Sequence, residues 1–146
     1  LGVNPTTVRF ALRDQFKRDT AFRGVTIEAD EAINANPKRK AWIGVMGEEM
    51  TLTPHAQAWR LDTDLVIYVQ ATSPKSGEAA ATAVGAMVEK VIANLEAADK
   101  QIRTEGGAAL SFIRQASVVP GYPLDQSGTT KWFRSEIITL TLEART

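Results

Sequence analysis

From Trp59 to Ala71 the chain alternates with the period of a β-strand. Trp59, Leu61, Leu65, Ile67 and Val69 share one parity, so they line one face of a sheet. The other parity reads Arg60, Asp62, Asp64, Val66 and Tyr68, charged in its first half and apolar in its second. Such a strand is solvated at one end and covered at the other, by a helix or by a neighbouring subunit. Thr72-Ser73-Pro74-Lys75-Ser76-Gly77 breaks it, and the period then changes. Val84, Met87, Val88, Val91, Ile92, Leu95, Ala98 and Ile102 recur at helical spacing to Arg103. A helix of about 25 residues is a rod of about 38 Å. Glu96–Lys100 and Asp99–Arg103 stand as i,i+4 pairs on its outer side.

The flanking segments fit the same layering. Asn4-Pro5 is a helix start, and Val8, Leu12 and Phe16 with Ala11 form a stripe running to Phe22, with Gly24 as the stop. Phe10 and the basic Arg9, Arg13, Lys17 and Arg18 lie off that stripe, on what reads as a solvated face. Val25–Ala29 is a short strand, and 34–40, with the basic run Lys38-Arg39-Lys40, is a loop. Ala41–Met50 has strand character around Trp42, Ile43, Val45 and Met46. Thr53-Pro54-His55 then interrupts it, which predicts a hairpin into the Trp59 strand. Gly106-Gly107 reads as the end of the long helix. Leu110 to Val119 and Trp132 to Ala144 are two further strands, separated by a long punctuated loop over 120–130; Ile138, Leu140 and Leu142 mark the buried face of the last. The expectation is an α+β fold, a mixed or antiparallel sheet of about five strands with an N-terminal helix and one long central helix packed on it.

Composition narrows the function classes. The chain has 146 residues, enough for one core that buries roughly 68–70% of the unfolded surface. Seventeen basic residues balance 17 acidic ones, so a phosphate-gripping duplex binder is disfavoured. No apolar run approaches the roughly 20 residues of a membrane helix. The opening Leu1-Gly2-Val3-Asn4-Pro5 lacks the regions of a signal peptide. A soluble protein, not exported by the usual route, is expected.

The parts needed for catalysis are missing from the sequence. His55 is the one histidine and there is no cysteine, which leaves a zinc site short of ligands and a Ser-His-Asp triad dependent on a turn residue. Neither GxxxxGK[ST] nor GxGxxG occurs. Glu48 and Glu49, adjacent on a strand, point to opposite faces and cannot act as a pair. Glu28, Asp30 and Glu31 lack the spacing of a calcium loop. Lys38-Arg39-Lys40 has no interleaved aromatic to stack a base. No enzyme activity, cofactor or metal is expected.

The block Trp59-Arg60-Leu61-Asp62-Thr63-Asp64-Leu65-Val66-Ile67-Tyr68-Val69, a Ser/Pro break and a long helix resemble the tail terminator (tail-completion) proteins of lambda-like long-tailed bacteriophages. So does the ending, with Gly121-Tyr122, an Asp-containing loop, Trp132 and the strand Ile137-Ile138-Thr139-Leu140-Thr141-Leu142. The likeness in element order covers nearly the whole chain, so it implies that residues 1–146 are a single tail-terminator-like domain. It further implies a hexameric ring that caps the tail tube, ends tail polymerisation and offers the head-attachment interface, without catalysis or cofactor. The implied partners are copies of itself, the tail-tube protein and head-tail connector or neck proteins, with no membrane or specific nucleic acid. The implied location is the virion tail or neck, after assembly in the host cytoplasm.

The candidate assembly residues are Phe10, Lys38, Arg39, Lys40, Tyr68, Tyr122, Asp125 and Trp132. The alternatives are another neck or tail component, such as a head-closure or connector protein, and a small ligand-binding α+β module, which an apolar pocket with a convergent charge would favour.

Overall fold

Asn4 caps the first helix as its sequence context predicts, its side chain accepting from the Thr7 amide at 2.8 Å. The computed structural model describes residues 4–30, 41–55, 58–121 and 132–145, with the side chains at 48, 49, 55, 58, 59, 61 and 145 outside the description. The first helix, α1, spans Pro5–Lys17 and buries Val8, Leu12 and Phe16. It stops short of Phe22. Asp19 caps a separate 3-10 turn, Thr20–Phe22, that tucks the Phe22 ring 5.3 Å from that of Phe16.

Strand β1 (Thr26–Ala29) pairs in parallel with β2 (Ala41–His55), which turns into antiparallel β3 (Ala58–Ser73). Helix α2 (Gly77–Ala97) follows, then β4 (Gln101–Arg103), β5 (Ala109–Pro120) and β6 (Trp132–Arg145). Among the described residues six strands form one sheet, in the order β1-β2-β3-β6-β5-β4. The fold is the expected α+β with a mixed sheet, but the sheet is larger than about five strands.

The extra strand comes out of what the sequence reads as helix. Ser76 caps α2 by accepting from Ala79, but the helix stops at Ala97. Asp99 and Lys100 take left-handed φ values of 56° and 58°, and the Lys100 amide donates back to Leu95 at 2.8 Å. The chain reverses into β4 and drives Ile102, fully buried, into the core from a strand. Lys100 therefore lies outside the helix and the predicted helical Glu96–Lys100 pair has no basis. Asp99 and Arg103 do meet, at 3.6 Å, across a turn. Gly106-Gly107 ends no helix. It turns β4 into β5, Gly107 at φ 89° and its amide bonded to Thr104.

Both helices pack on one face of the sheet, α1 over β1, β2 and β4 and α2 over β3 and β6. That face carries Ile43, Val45, Leu65, Ile67, Val69, Ile138, Leu140 and Leu142, met by Val84, Met87, Val88, Val91 and Leu95 from α2. Ile92, expected on the same stripe, is 41% exposed. The core is thus one layer between helices and sheet, as the odd residues of β3 and even residues of β6 predict.

Two readings of β2 need correction. Thr53-Pro54-His55 does not interrupt the strand, which pairs with β3 as far as His55↔Ala58. Among the described residues β1 pairs with β2 only at 42–45, which leaves the stretch with Pro54 at the sheet edge, where proline is tolerated. The register also shifts between Gly47 and Met50, so strict alternation does not hold through Glu48 and Glu49, whose side chains lie outside the description.

Arg9, expected on a solvated face, is instead a tether. Its Nε and Nη2 donate to the two carboxylate oxygens of Asp30 at 2.8 and 3.0 Å, joining α1 to the end of β1. The guanidinium crosses Gly47, where a Cβ would come within 2.7 Å of it.

Candidate assembly surface

The sheet face away from the helices holds the half-charged, half-apolar pattern legible in β3. At its charged end the charges are paired across strands. Arg60 Nε lies 3.1 Å from Asp62, and Arg114 of β5 reaches both Asp62, at 3.6 Å, and Glu143 of β6, at 3.7 Å. Thr141 donates to Asp64 at 3.0 Å. These groups span three neighbouring strands. At partial exposure they contribute little to stability and chiefly fix side-chain positions.

At the apolar end, register brings Gly44, Tyr68, Ile137 and Val119 into one row across β2, β3, β6 and β5. The next row is Met46, Val66, Thr139 and Ser117. Trp42 lies flat over Gly44, where a Cβ would collide with the indole, and its Nε1 donates to Glu28 at 2.9 Å. Val66 is buried and Tyr68 half-buried, while Val119 at the end of the row is 50% exposed.

The sheet margins are barer than its middle. On β5 every side chain from Arg114 to Pro120 is exposed, Val118 and Val119 included, although these two point to opposite faces. On the β2–β3 arm Met50 and Leu52 are 46% and 50% exposed, and Phe112, paired with Gln101 of β4, is 52% exposed. Sequence reasoning missed this margin. Its one signal was the uncharged run Gln115-Ala116-Ser117-Val118-Val119, which lacks the polar alternation of a solvated strand.

The sequence-predicted residues do not form one patch. Phe10 is on the helix side, 38% exposed, with the Arg13 guanidinium 4.7 Å above its ring. It borders an open groove of about 500 Å³ with Thr7, Asp14, Arg18, Arg103 and Leu110. Charges of both signs line that groove, unlike an apolar ligand pocket with a few convergent polar groups. Arg13 donates to Asp14 at 2.9 Å, and that bond, opposed by partial burial and helped by Lys17 and Arg18, holds the Asp14 carboxyl below its ordinary value. Tyr68 is on the opposite side, mid-strand. Trp132 is half-buried at the start of β6, opposite Ser73, and shares strand parity with Arg134, whose guanidinium lies against Gly77 at the start of α2. Lys38, Arg39, Lys40, Tyr122 and Asp125 lie outside the described residues.

Among the described residues no group of three or more His, Asp or Glu side chains converges as a metal site, and no helix is long and apolar enough to cross a membrane.

The fold has a counterpart in a solved particle. A chain in the virion of a native gene transfer agent (GTA) particle superposes with a TM-score of 0.52 at 12% identity, covering 93% of this chain and 94% of that one. At that identity the likeness is one of fold. No family model matches the chain, and no curated protein matches it.

Proposed function

We propose that this chain is a structural protein of a virion, a subunit that forms a hexameric ring on the end of a phage tail tube. The ring ends tube polymerisation and offers the surface to which the head attaches. It acts by assembly, without a reaction or a cofactor, and its partners are its own copies, the tail-tube protein and the neck proteins. The observation that carries the reading is the end-to-end fold likeness to a chain of a gene transfer agent virion, over 93% and 94% of the two chains. Supporting it are the resemblance of the Trp59–Val69 and Gly121–Leu142 segments to tail terminators and the exposed margins of the sheet, which suit a subunit with neighbours.

Electron microscopy of tail tubes assembled with and without the protein tests the proposal. Added protein should appear as a single ring at one end of each tube and hold tube length constant. Rings found on heads alone would instead make it a head-closure or connector protein. Tubes of unchanged length distribution with bare ends would remove the tail-end assignment. His55→Ala should leave capping intact, and a large loss would reopen a chemical role.

A further inference from the structure

Each helix leaves one large apolar side chain in water, Phe10 on α1 at 38% exposure and Ile92 on α2 at 41%. Their surroundings are opposite in charge. Phe10 borders the groove between α1 and the β4–β5 turn, where Ala11 and Leu110 are its apolar neighbours. Leu110 is there because the β4–β5 register jumps from Ser111 to Ala109, a bulge that leaves it unpaired. Of the charges along the groove, Asp14 is held by Arg13, and the Arg103 guanidinium by the carbonyls of Ala98 and Gly107. Lys17 and Arg18 are exposed and make no ion pair among the described residues, while Glu105 stands in the turn on the other wall. Helical side chains lean toward the N-terminus, which tilts Lys17 back toward Phe10.

Ile92 has the complementary setting. Glu89 lies three residues before it and Glu96 four after, so all three share one flank of α2. All are exposed, and neither carboxylate makes an ion pair among the described residues. That flank is turned from α1. Asn94, which bonds Gln15 of α1, is two residues on from Ile92 and so about 200° around the helix. The ridge is therefore not presented to the chain's own groove.

We infer that neighbouring copies of this chain join by the α2 ridge of one entering the α1 groove of the next, Ile92 seated on Phe10 and Leu110 and a glutamate on Lys17 and Arg18. This rests on the ring reading above and names the surfaces that build the ring. The chain is neutral overall, with 17 basic and 17 acidic residues, yet these two places hold opposite unspent charge around an apolar centre. Carboxylates stand on both sides of Ile92, so one of them reaches the two cations whichever way the helices cross. Groove and ridge are different surfaces of one chain, so the contact is heterologous and propagates around a closed rotation.

Charge exchange read by native mass spectrometry tests the contact. Lys17→Glu with Arg18→Glu should lower the ring population at least about tenfold, and so should Glu89→Lys with Glu96→Lys, because like charges then meet. The chain carrying all four substitutions should recover the ring to within about threefold, as opposite charges face each other again. These positions are exposed, so urea midpoints should stay near that of the unsubstituted chain. The absence of cysteine allows a second readout. A chain carrying Phe10→Cys and Ile92→Cys should give a ladder of covalent multimers with a short bifunctional maleimide, whereas either single variant should stop at a dimer. A ring that tolerates both charge reversals, is lost without recovery in the fourfold variant, or gives no ladder overturns this contact and leaves the ring itself standing. Reversals that spare the ring but abolish tube capping assign the groove or the ridge to the tube protein and also overturn it. An unsubstituted chain that forms no ring, alone or on tubes, removes both readings together.

Discussion

Gln15 of α1 and Asn94 of α2, 79 residues apart, are hydrogen-bonded at 3.1 Å in the seam between the helices. Both side chains are buried, at 7% and 9% exposure. Asn94 also donates to Asp19 at 3.0 Å, and Gln15 Oε1 accepts from the Arg103 amide at 2.8 Å. One network therefore ties both helices to β4 and to the turn after α1. Asn94→Ala strips partners from buried groups on two elements and should destabilise the fold by about 1–3 kcal/mol, read as a lower urea midpoint at unchanged slope. A change within about 0.3 kcal/mol would show that the network contributes nothing net.

Gly44→Ala should be destabilising by about 1–3 kcal/mol, because the new Cβ runs into the Trp42 indole. Trp42→Leu carries its own cost from lost burial, but in the double variant the clash is gone. A double-mutant cycle on denaturant midpoints should give a favourable coupling; strict additivity would mean that the indole does not lie over Gly44.

The charged strip on the far face should be worth little by itself. Arg114→Ala, which frees Asp62 and Glu143 from their β5 partner, should lower stability by less than about 1 kcal/mol, with the difference shrinking as salt is raised. A loss above about 2 kcal/mol would place those carboxylates in a more buried setting than the strands give them.

Asp14 bears on the acid limb. Its folded carboxyl is held below the ordinary value, first by the hydrogen bond from Arg13. The stabilising effect is fully present above the unfolded value of about 4 and is lost as pH falls through the folded value. Asp14→Asn should remove that increment, so wild type and variant should converge toward the acid end of the titration. A midpoint for Asp14 above about 4, followed by carboxyl NMR, would contradict this direction.

Much of this architecture was legible because local period and burial agree. Val8, Leu12 and Phe16 fall every four residues and are all buried, and of the odd residues of β3, Leu65, Ile67, Val69 and Ala71 are buried as their alternation requires, while the side chains of Trp59 and Leu61 lie outside the description. What was illegible depended on partners distant in sequence. Ala98, Asp99 and Lys100 would extend a helix by their neighbours alone, yet the chain turns there so that Ile102 reaches the core and Ile113 can donate to the Lys100 carbonyl at 2.9 Å. Pro54 read as a break because sequence does not reveal which strand is an edge. Phe10 lies off the buried stripe of its helix as its spacing predicts, at 38% exposure, whereas the exposure of Val118 and Val119 was not foreseen. Apolar residues in a strand read as core until the covering element is known to stop short.

Native mass spectrometry of the purified chain, with electron microscopy of the same sample, tests the central claim most directly. The account predicts a closed species of six 15.9 kDa chains, formed alone or on meeting tail tubes, with a six-fold ring in projection. A chain that stays monomeric at every concentration and in the presence of tubes would contradict it.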